Sequence, residues 1–360
     1  MFGLFVQRHA EAAALYNDIS VVYVHANETL ARKFDIVKTN ENNVETIRVY
    51  YKKPKTKIIS LIRFFRANTL ALRLLNKPDI IHVHVLTRCG MVALWHKIVH
   101  GTPYVITEHW SRYLPGNDFS GLLRKTATRI VARNAETLTT VTEILAKAML
   151  SHGITNSNHH IVPNVVDINL FHPVPHHNET PKIIHISCFE NKSKNITGLI
   201  DSLKILEDRN IDFKCCFIGN GIDFEYIKNY SKKLHKQSSI IFTGVLEGKD
   251  LIDELATGDF LVLSSNYETQ GVVLLEAFAC GLPVVSTSVG GIPEIVNENN
   301  GLLVPPGDSV ALADAIQIML NKFSDYDTNT LRDIVSAGFS YQAVGKFLDG
   351  IYKKTKIRMP

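Results

Sequence analysis

The 360-residue chain has no apolar run approaching the length a helix needs to cross a bilayer. Its opening residues lack the basic-then-apolar layout of a secretory leader. Cysteine is scarce, with five residues, two of them adjacent at Cys215-Cys216. None stands at disulfide-framework or zinc-ligand spacing, which excludes a stapled secreted scaffold and points to a reducing cytoplasm. Neither sign of charge dominates: 39 Lys and Arg face 35 Asp and Glu, for a net charge of +4. That balance makes no case for nucleic acid, and no recognition motif accompanies it. No Asp-x-Asp pair stands near a strand end. His82 and His84 share a strand face, yet no carboxylate or Cys stands at ligand spacing beside them, so no metal site is expected. What remains, 45% hydrophobic and 21% charged residues, suits a soluble chain of two domains.

The pattern is that of alternating strands and helices, hence α/β with parallel sheets. A helix is expected from Val6, and strands at 19–24, 44–50 and 80–84. The chain opens on a loop and helix where a doubly wound domain starts with a strand, so a first strand is expected to be missing and its sheet weakened. Tyr104-Val105-Ile106-Thr107 is a strand that delivers Glu108-His109-Trp110 at its carboxyl end, the edge where such sheets bind ligands. Pro- and His-rich residues 173–181 read as a linker between domains at 1–172 and 182–337, with 338–360 as a closing helix. In the second domain Gly219-Asn220-Gly221 follows a strand as a close-approach loop with room for a nucleotide, before a helix to about His235.

The most informative stretch is 260–298. Phe260 to Leu263 is an apolar run of strand length, followed by a polar loop, then a helix from near Gly271, stopped by Gly281 and Pro283, then Val284-Val285-Ser286-Thr287. The start of that helix, at Gly271 and Val272, offers backbone N–H groups suited to a diphosphate. Glu276, about one and a half turns in, is placed to accept from two neighbouring sugar hydroxyls. Glu268, eight residues earlier in the loop, faces whatever hangs from the diphosphate.

Glu268, Glu276-Ala277, Gly281-Leu282-Pro283-Val284-Val285 and Gly290-Gly291-x-x-Glu294, in this order, resemble the nucleotide-sugar site of the retaining glycosyltransferases of family 4. The resemblance covers almost all of the second domain and extends to the last helix. It implies the GT-B fold: two Rossmann-like domains facing across a cleft, the final helix crossing back to the first. It implies hexosyl or N-acetylhexosaminyl transfer from a UDP-sugar or GDP-sugar, without cofactor or metal, to a glycan or polyprenyl-linked acceptor of cell-envelope polysaccharide synthesis. Catalytic parts fall to His109, Glu268 and Lys194. Donor contacts fall to Glu276, Gly271, Val272, Lys192, Gly219, Gly244, Val245, Thr269 and Gln270, and the acceptor side to Gly3 and His84. Two departures stand out: Thr269-Gln270 replaces Gly-Phe, and Cys188 stands where relatives place an Arg that neutralises the diphosphate, with Lys192 as its nearest substitute. A nucleotide-sugar-binding protein with weak transfer, or a sugar-nucleotide epimerase, are the alternatives.

Residues 52–73 carry seven basic residues and no acidic one: Lys52, Lys53, Lys55, Lys57, Arg63, Arg66 and Arg73, interleaved with apolar side chains. One reading is a basic amphipathic surface for an anionic membrane, the inner face of the plasma membrane; the other is a core helix with solvated lysines.

Overall fold

The computed structural model describes residues 3–234 and 239–357. His235, the expected end of a helix, lies outside them. The chain divides into two units: Met1–Val141, Ala146–Val165 and Tyr341–Pro360 form unit 1, while Thr142–Leu145 and Val166–Ser340 form unit 2. In chain order the strands are β1 (Ser20–Asn27), β2 (Phe34–Glu41), β3 (Val44–Lys52), β4 (Ile81–His84), β5 (Tyr104–Glu108), β6 (Thr137–Thr140), β7 (His159–Ile161), β8 (Lys182–Ile186), β9 (Lys214–Ile218), β10 (Ile240–Gly244), β11 (Phe260–Leu263), β12 (Val284–Thr287) and β13 (Gly301–Val304). The helices are α1 (Leu4–Ala14), α2 (Lys57–Leu72), α3 (Leu86–His100), α4 (Leu122–Asn134), α5 (Glu143–Ser151), α6 (Asn191–Lys194), α7 (Ile196–Asp208), α8 (Phe224–Leu234), α9 (Gly248–Ala256), α10 (Val272–Ala279), α11 (Ser309–Lys322), α12 (Thr328–Gly338) and α13 (Tyr341–Ile357). No helix among the described residues is long and apolar enough to cross a membrane.

Unit 2 is a doubly wound domain. Its six parallel strands run β10-β9-β8-β11-β12-β13. The order reverses between β8 and β11, which pair through Phe260↔Ile183 and Leu261↔Ile184. β11 and β12 are buried along their whole length, which is why they read as short unbroken apolar runs. Two cores flank the sheet. One gathers Leu261, Leu263, Leu274, Leu275 and Phe278, the other Ile183, Phe217, Val262, Leu199 and Ile316.

Unit 1 carries its strands in two sheets rather than the single one of a doubly wound domain. β4-β5-β6-β7 is parallel, while β1-β3-β2 stands apart, with β1 parallel and β2 antiparallel to β3. Among the described residues the edges of β1 and β4 each pair on one side only. α13 packs on α1, and a Cβ on Gly345 would meet the Ala12 carbonyl at 2.1 Å, so only glycine lets the two helices approach this closely.

The division of the chain falls after Val165, not at the His-rich tract 173–181. Residues 166–172 already pack with unit 2: Phe171 is in its core, Val166 N donates to Phe339 O at 2.8 Å, and Arg332 donates to the Ile168, Phe171 and Ala279 carbonyls. Unit 1 resumes at Tyr341, three residues later than the boundary expected at 338.

Candidate functional site

In open sheets of this kind ligands bind beyond the carboxyl ends of the strands, where strand order reverses. In unit 2 that point lies between the loops after β8 and β11. The β8 loop runs through Cys188 and the buried Phe189 into α6. Asp223 holds its start by accepting from Asn191 N at 2.7 Å. The β11 loop is stitched to α6: Ser264 Oγ donates to the Lys194 and Asn195 carbonyls, Asn266 N to Ser193 O, and Asn266 Nδ2 to Lys192 O. This stitching brings Lys194 Nζ onto Glu268 Oε1. Ser265 Oγ donates to the same carboxylate oxygen at 2.9 Å. Burial pulls the Lys194 ammonium down, but the Glu268 carboxylate beside it outweighs this, and its pKa is raised. Lys194 therefore stays a cation in a mostly buried place.

Two glycine turns shape the floor. A Cβ on Gly219 would meet Ser187 O at 2.0 Å, and one on Gly221 would meet Phe189 N at 2.6 Å. The loop after β9 thus lies directly on the β8 loop, and Gly219 N donates to Gly244 O at 2.8 Å. Gly290 and Gly291 press in the same way on the carbonyls of Glu268 and Thr269, at 1.7 and 2.4 Å from the positions their Cβ atoms would take. Gly271 caps α10 at φ 76°. The helix stops at Gly281, φ 78°, whose N–H bonds Phe278 O while Leu282 N returns to Ala277 O. Gln270 is buried, Thr269 and Glu276 are half-buried, and Val245 is exposed beside Gly244. Lys192, the expected substitute for the relatives' Arg, is exposed on α6, and Cys188, which stands at that Arg's position, is exposed as well. Glu294 has a different job. Its two carboxylate oxygens accept from Glu143 N and Ile144 N, both at 2.8 Å, and so cap the start of α5.

Unit 1 gathers a second polar group at the carboxyl ends of β4 and β5. His109 follows β5. Its Nδ1 meets Asn164 Oδ1 at 2.9 Å and its Nε2 meets His84 Nδ1 at 3.0 Å. His9, on α1, lies against both rings. His82 is spent on Tyr352 OH and Thr107 Oγ1, at 2.6 and 2.7 Å. Val85, between His84 and α3, has φ 66°, a strained value for a β-branched residue that marks a tightly constrained place. Sequence reasoning passed over Glu108. It is fully buried, and it accepts from the backbone N–H groups of Leu86, His109 and Trp110 at 3.0 Å. Burial raises its pKa against those hydrogen bonds. The adjacency of Glu108 to His109 was the available signal. Gly3, at φ 101°, caps α1 in open space.

Two family models match adjoining stretches that together span residues 9–332. "Glycosyltransferase Family 4" matches residues 9–170, and "Glycosyl transferases group 1" matches residues 167–332. The chain belongs to the family 4 glycosyltransferases. The sulfoquinovosyl transferase SQD2 of Arabidopsis thaliana is 30% identical over 252 residues, 64% of this chain and 48% of that protein. The N-acetyl-alpha-D-glucosaminyl L-malate synthase of Bacillus anthracis is 38% identical over 145 residues, 39% of this chain and 37% of that one. The chain thus spans about half the length of the first of these curated relatives and less of the second. Among solved structures, the sucrose-phosphate synthase of Thermosynechococcus elongatus superposes with a TM-score of 0.82 at 21% identity, covering 99% of this chain and 94% of that one. Anabaena HepE, solved with UDP and glucose, superposes with a TM-score of 0.72 at 18% identity, covering 88% and 87%. These neighbours establish the GT-B-type fold of the family 4 chain, in which the Glu268–Glu276 segment and Lys194 share one strand-reversal point.

Proposed function

We propose that this family 4 chain is a retaining, metal-independent glycosyltransferase that moves a sugar from a nucleotide-diphosphate donor to a glycan or lipid-linked acceptor. The observation that carries the reading is the Lys194–Glu268 pair at the β8/β11 reversal. The diphosphate docks at the start of α10, where N–H groups and the helix dipole favour negative charge. Lys194 then exchanges Glu268 for phosphate oxygens and supplies the positive charge that a metal supplies elsewhere. Glu268, released, holds sugar hydroxyls, and Glu276 holds the ribose. The bond from the anomeric carbon to the phosphate oxygen breaks, and the acceptor oxygen bonds that carbon on the same face. The departing phosphate oxygen takes the acceptor proton. On unit 1 the reading gives His109 a catalytic part.

UDP in the solved complex of HepE supports a UDP-sugar, with GDP-sugar as the rival. An anionic membrane partner is supported by α2: Ile58 is 74% exposed, Ile59, Leu61 and Ile62 are exposed with it, and Lys52, Lys55 and Lys57 stand alongside. A second reading, a donor-binding protein with weak transfer, is favoured by the exposed Cys188 in the diphosphate loop.

The test is calorimetric titration with UDP, GDP and ADP, followed by turnover of the matching sugar nucleotides. Binding of one diphosphate, weakened at least ten-fold by Lys194→Ala and Glu276→Ala, is the expected result. No binding of any of the three ends the transferase reading.

A further inference from the structure

We propose that His9, His84 and His109 form a binding site for a transition-metal dication of the zinc and cobalt class, wholly within unit 1. One ligand nitrogen from each imidazole lies within 4.8 Å of the other two. The ring centroids are 5.1–5.3 Å apart.

The hydrogen bonds decide which nitrogens carry lone pairs. His9 Nε2 lies 2.8 Å from Pro163 O. A carbonyl only accepts, so the proton is on Nε2 and the Nδ1 lone pair is free. That Nδ1 is buried with no hydrogen-bond partner, on a residue that is 1% exposed. A buried orphan acceptor costs stability unless something fills it. His109 Nδ1 donates to Asn164 Oδ1 at 2.9 Å, which leaves its Nε2 lone pair directed at His84 Nδ1, 3.0 Å away. Metal-ligating histidines hold their second nitrogen in this way, on a carbonyl or amide oxygen that fixes ring and tautomer. Burial keeps all three rings neutral, lowering His9 to about 4 and His84 and His109 well below their usual range, so protons do not compete for the lone pairs near neutral pH. Nitrogens bound tetrahedrally at about 2.0–2.1 Å from zinc lie about 3.3 Å apart, so the His84–His109 approach needs only a small widening. His84 moves its proton from Nδ1 to Nε2 as the metal enters, and no net proton is released. Three protein ligands leave a fourth position for water.

The donor set selects the ion. Imidazole suits zinc, cobalt, nickel and copper, whereas magnesium and calcium require oxygen ligands. This site is therefore separate in chemistry from the neutralisation of the diphosphate by Lys194. The Glu108 carboxylate is spent on backbone N–H groups and supplies no ligand. Where His109 has its catalytic part, an occupied site removes Nε2 from use, so zinc inhibits and a chelator restores activity; that clause alone rests on the transferase reading.

The test is titration of the full chain, free of any affinity tag, with Co2+ alone, read by visible absorption. The expected result is saturation at a single equivalent with bands of tetrahedral intensity, displaced by Zn2+ and unaffected by excess Mg2+. His9→Gln and His84→Gln should each weaken binding at least ten-fold, while a His176→Gln/His177→Gln chain, altered only in the His-rich tract of unit 2, binds as the unaltered protein does. Thermal melting of the unaltered chain gives a second readout that needs no variant: Zn2+ should raise the midpoint and Mg2+ should not. Absence of a saturable Co2+ spectrum, binding that survives both site substitutions, or binding lost with His176 and His177 overturns the proposal.

Discussion

Gly290→Ala separates two costs that usually arrive together. Gly290 has φ +52°, and a Cβ on it would stand 1.7 Å from the Glu268 carbonyl oxygen. Gly307, in the same unit, has φ +77° and nothing within 4 Å of its would-be Cβ. Both substitutions incur the left-handed backbone penalty, about 1 kcal/mol. Only Gly290→Ala must also move backbone: the contact has to open from 1.7 Å to at least 3.0 Å, a displacement of about 1.3 Å. Forcing a methyl into a packed place costs about 1–3 kcal/mol. The expected losses are therefore about 1 kcal/mol for Gly307→Ala and about 2–4 kcal/mol for Gly290→Ala, read by urea unfolding followed by circular dichroism. A shift of that size at Glu268 draws its carboxylate off Lys194 and Ser265, and sites held 1 Å out of place function poorly. UDP affinity should fall at least ten-fold in Gly290→Ala and stay within two-fold in Gly307→Ala. Equal losses of stability from the two, or unchanged UDP binding by Gly290→Ala, would refute the claim that the Gly290-Gly291 turn seats the Glu268 loop.

Three further expectations follow from single contacts. Burial lowers the pKa of His185 to about 4, even though its Nδ1 donates to Val262 O. The folded state holds this ring neutral while the unfolded chain protonates it near 6.5, so its contribution is intact above pH 6.5 and is lost as pH falls toward 4, by about 3 kcal/mol in all; His185→Gln should flatten the acid limb of a stability-against-pH curve, and an unchanged limb would sink the assignment. Glu294→Ala removes the acceptor for two N–H groups at the start of α5 and should cost about 1–2 kcal/mol in urea unfolding with UDP affinity within two-fold; a large loss of UDP binding at unchanged stability would make Glu294 a ligand-binding group instead. Pelleting with phosphatidylglycerol vesicles should be weakened by Ile58→Asp and by charge reversal at Lys52, Lys55 and Lys57, at about 1 kcal/mol per charge, and should fall with added salt; pelleting indifferent to all of these would leave α2 an ordinary solvated helix.

Much of unit 2 is legible in the residues because its signals are local. β11, the Gly271 start, the Gly281 stop and β12 follow one another within thirty residues, and each boundary is a glycine, a proline or an apolar run. The spacing also singles out Lys194 and Glu268. Their pairing with each other is not legible, because it depends on Ser264 and Asn266 stitching two loops about seventy residues apart. Unit 1 is harder to read. His109 stands out at a strand end, but His9 and Asn164 reach it from distant parts of the chain, and no local spacing announces that. β2 escapes notice because it is exposed along most of its length, so its alternation of polar and apolar residues carries little signal. The position of Val85 defies its propensity: a β-branched residue at positive φ is dictated by the surrounding fold.

The split sheet of unit 1 bears on cooperativity. Ile47, Val49 and Tyr51 of β3 close with Phe64, Ala67 and Ala71 of α2 into one core. Val105, Val162, Val344 and Leu348 close into another. No strand is common to the two. Ladders and side-chain packing transmit the loss of one element to the next, and here the ladder is interrupted between β1 and β4. The β1–β3–β2 layer with α2 is thus joined to the histidine-bearing sheet by side-chain packing rather than by a ladder: Val92 of α3 lies in the β3–α2 core, and α3 packs on β4 and β5. That packing is what couples the helix presenting Ile58 and its basic neighbours to the rest of unit 1.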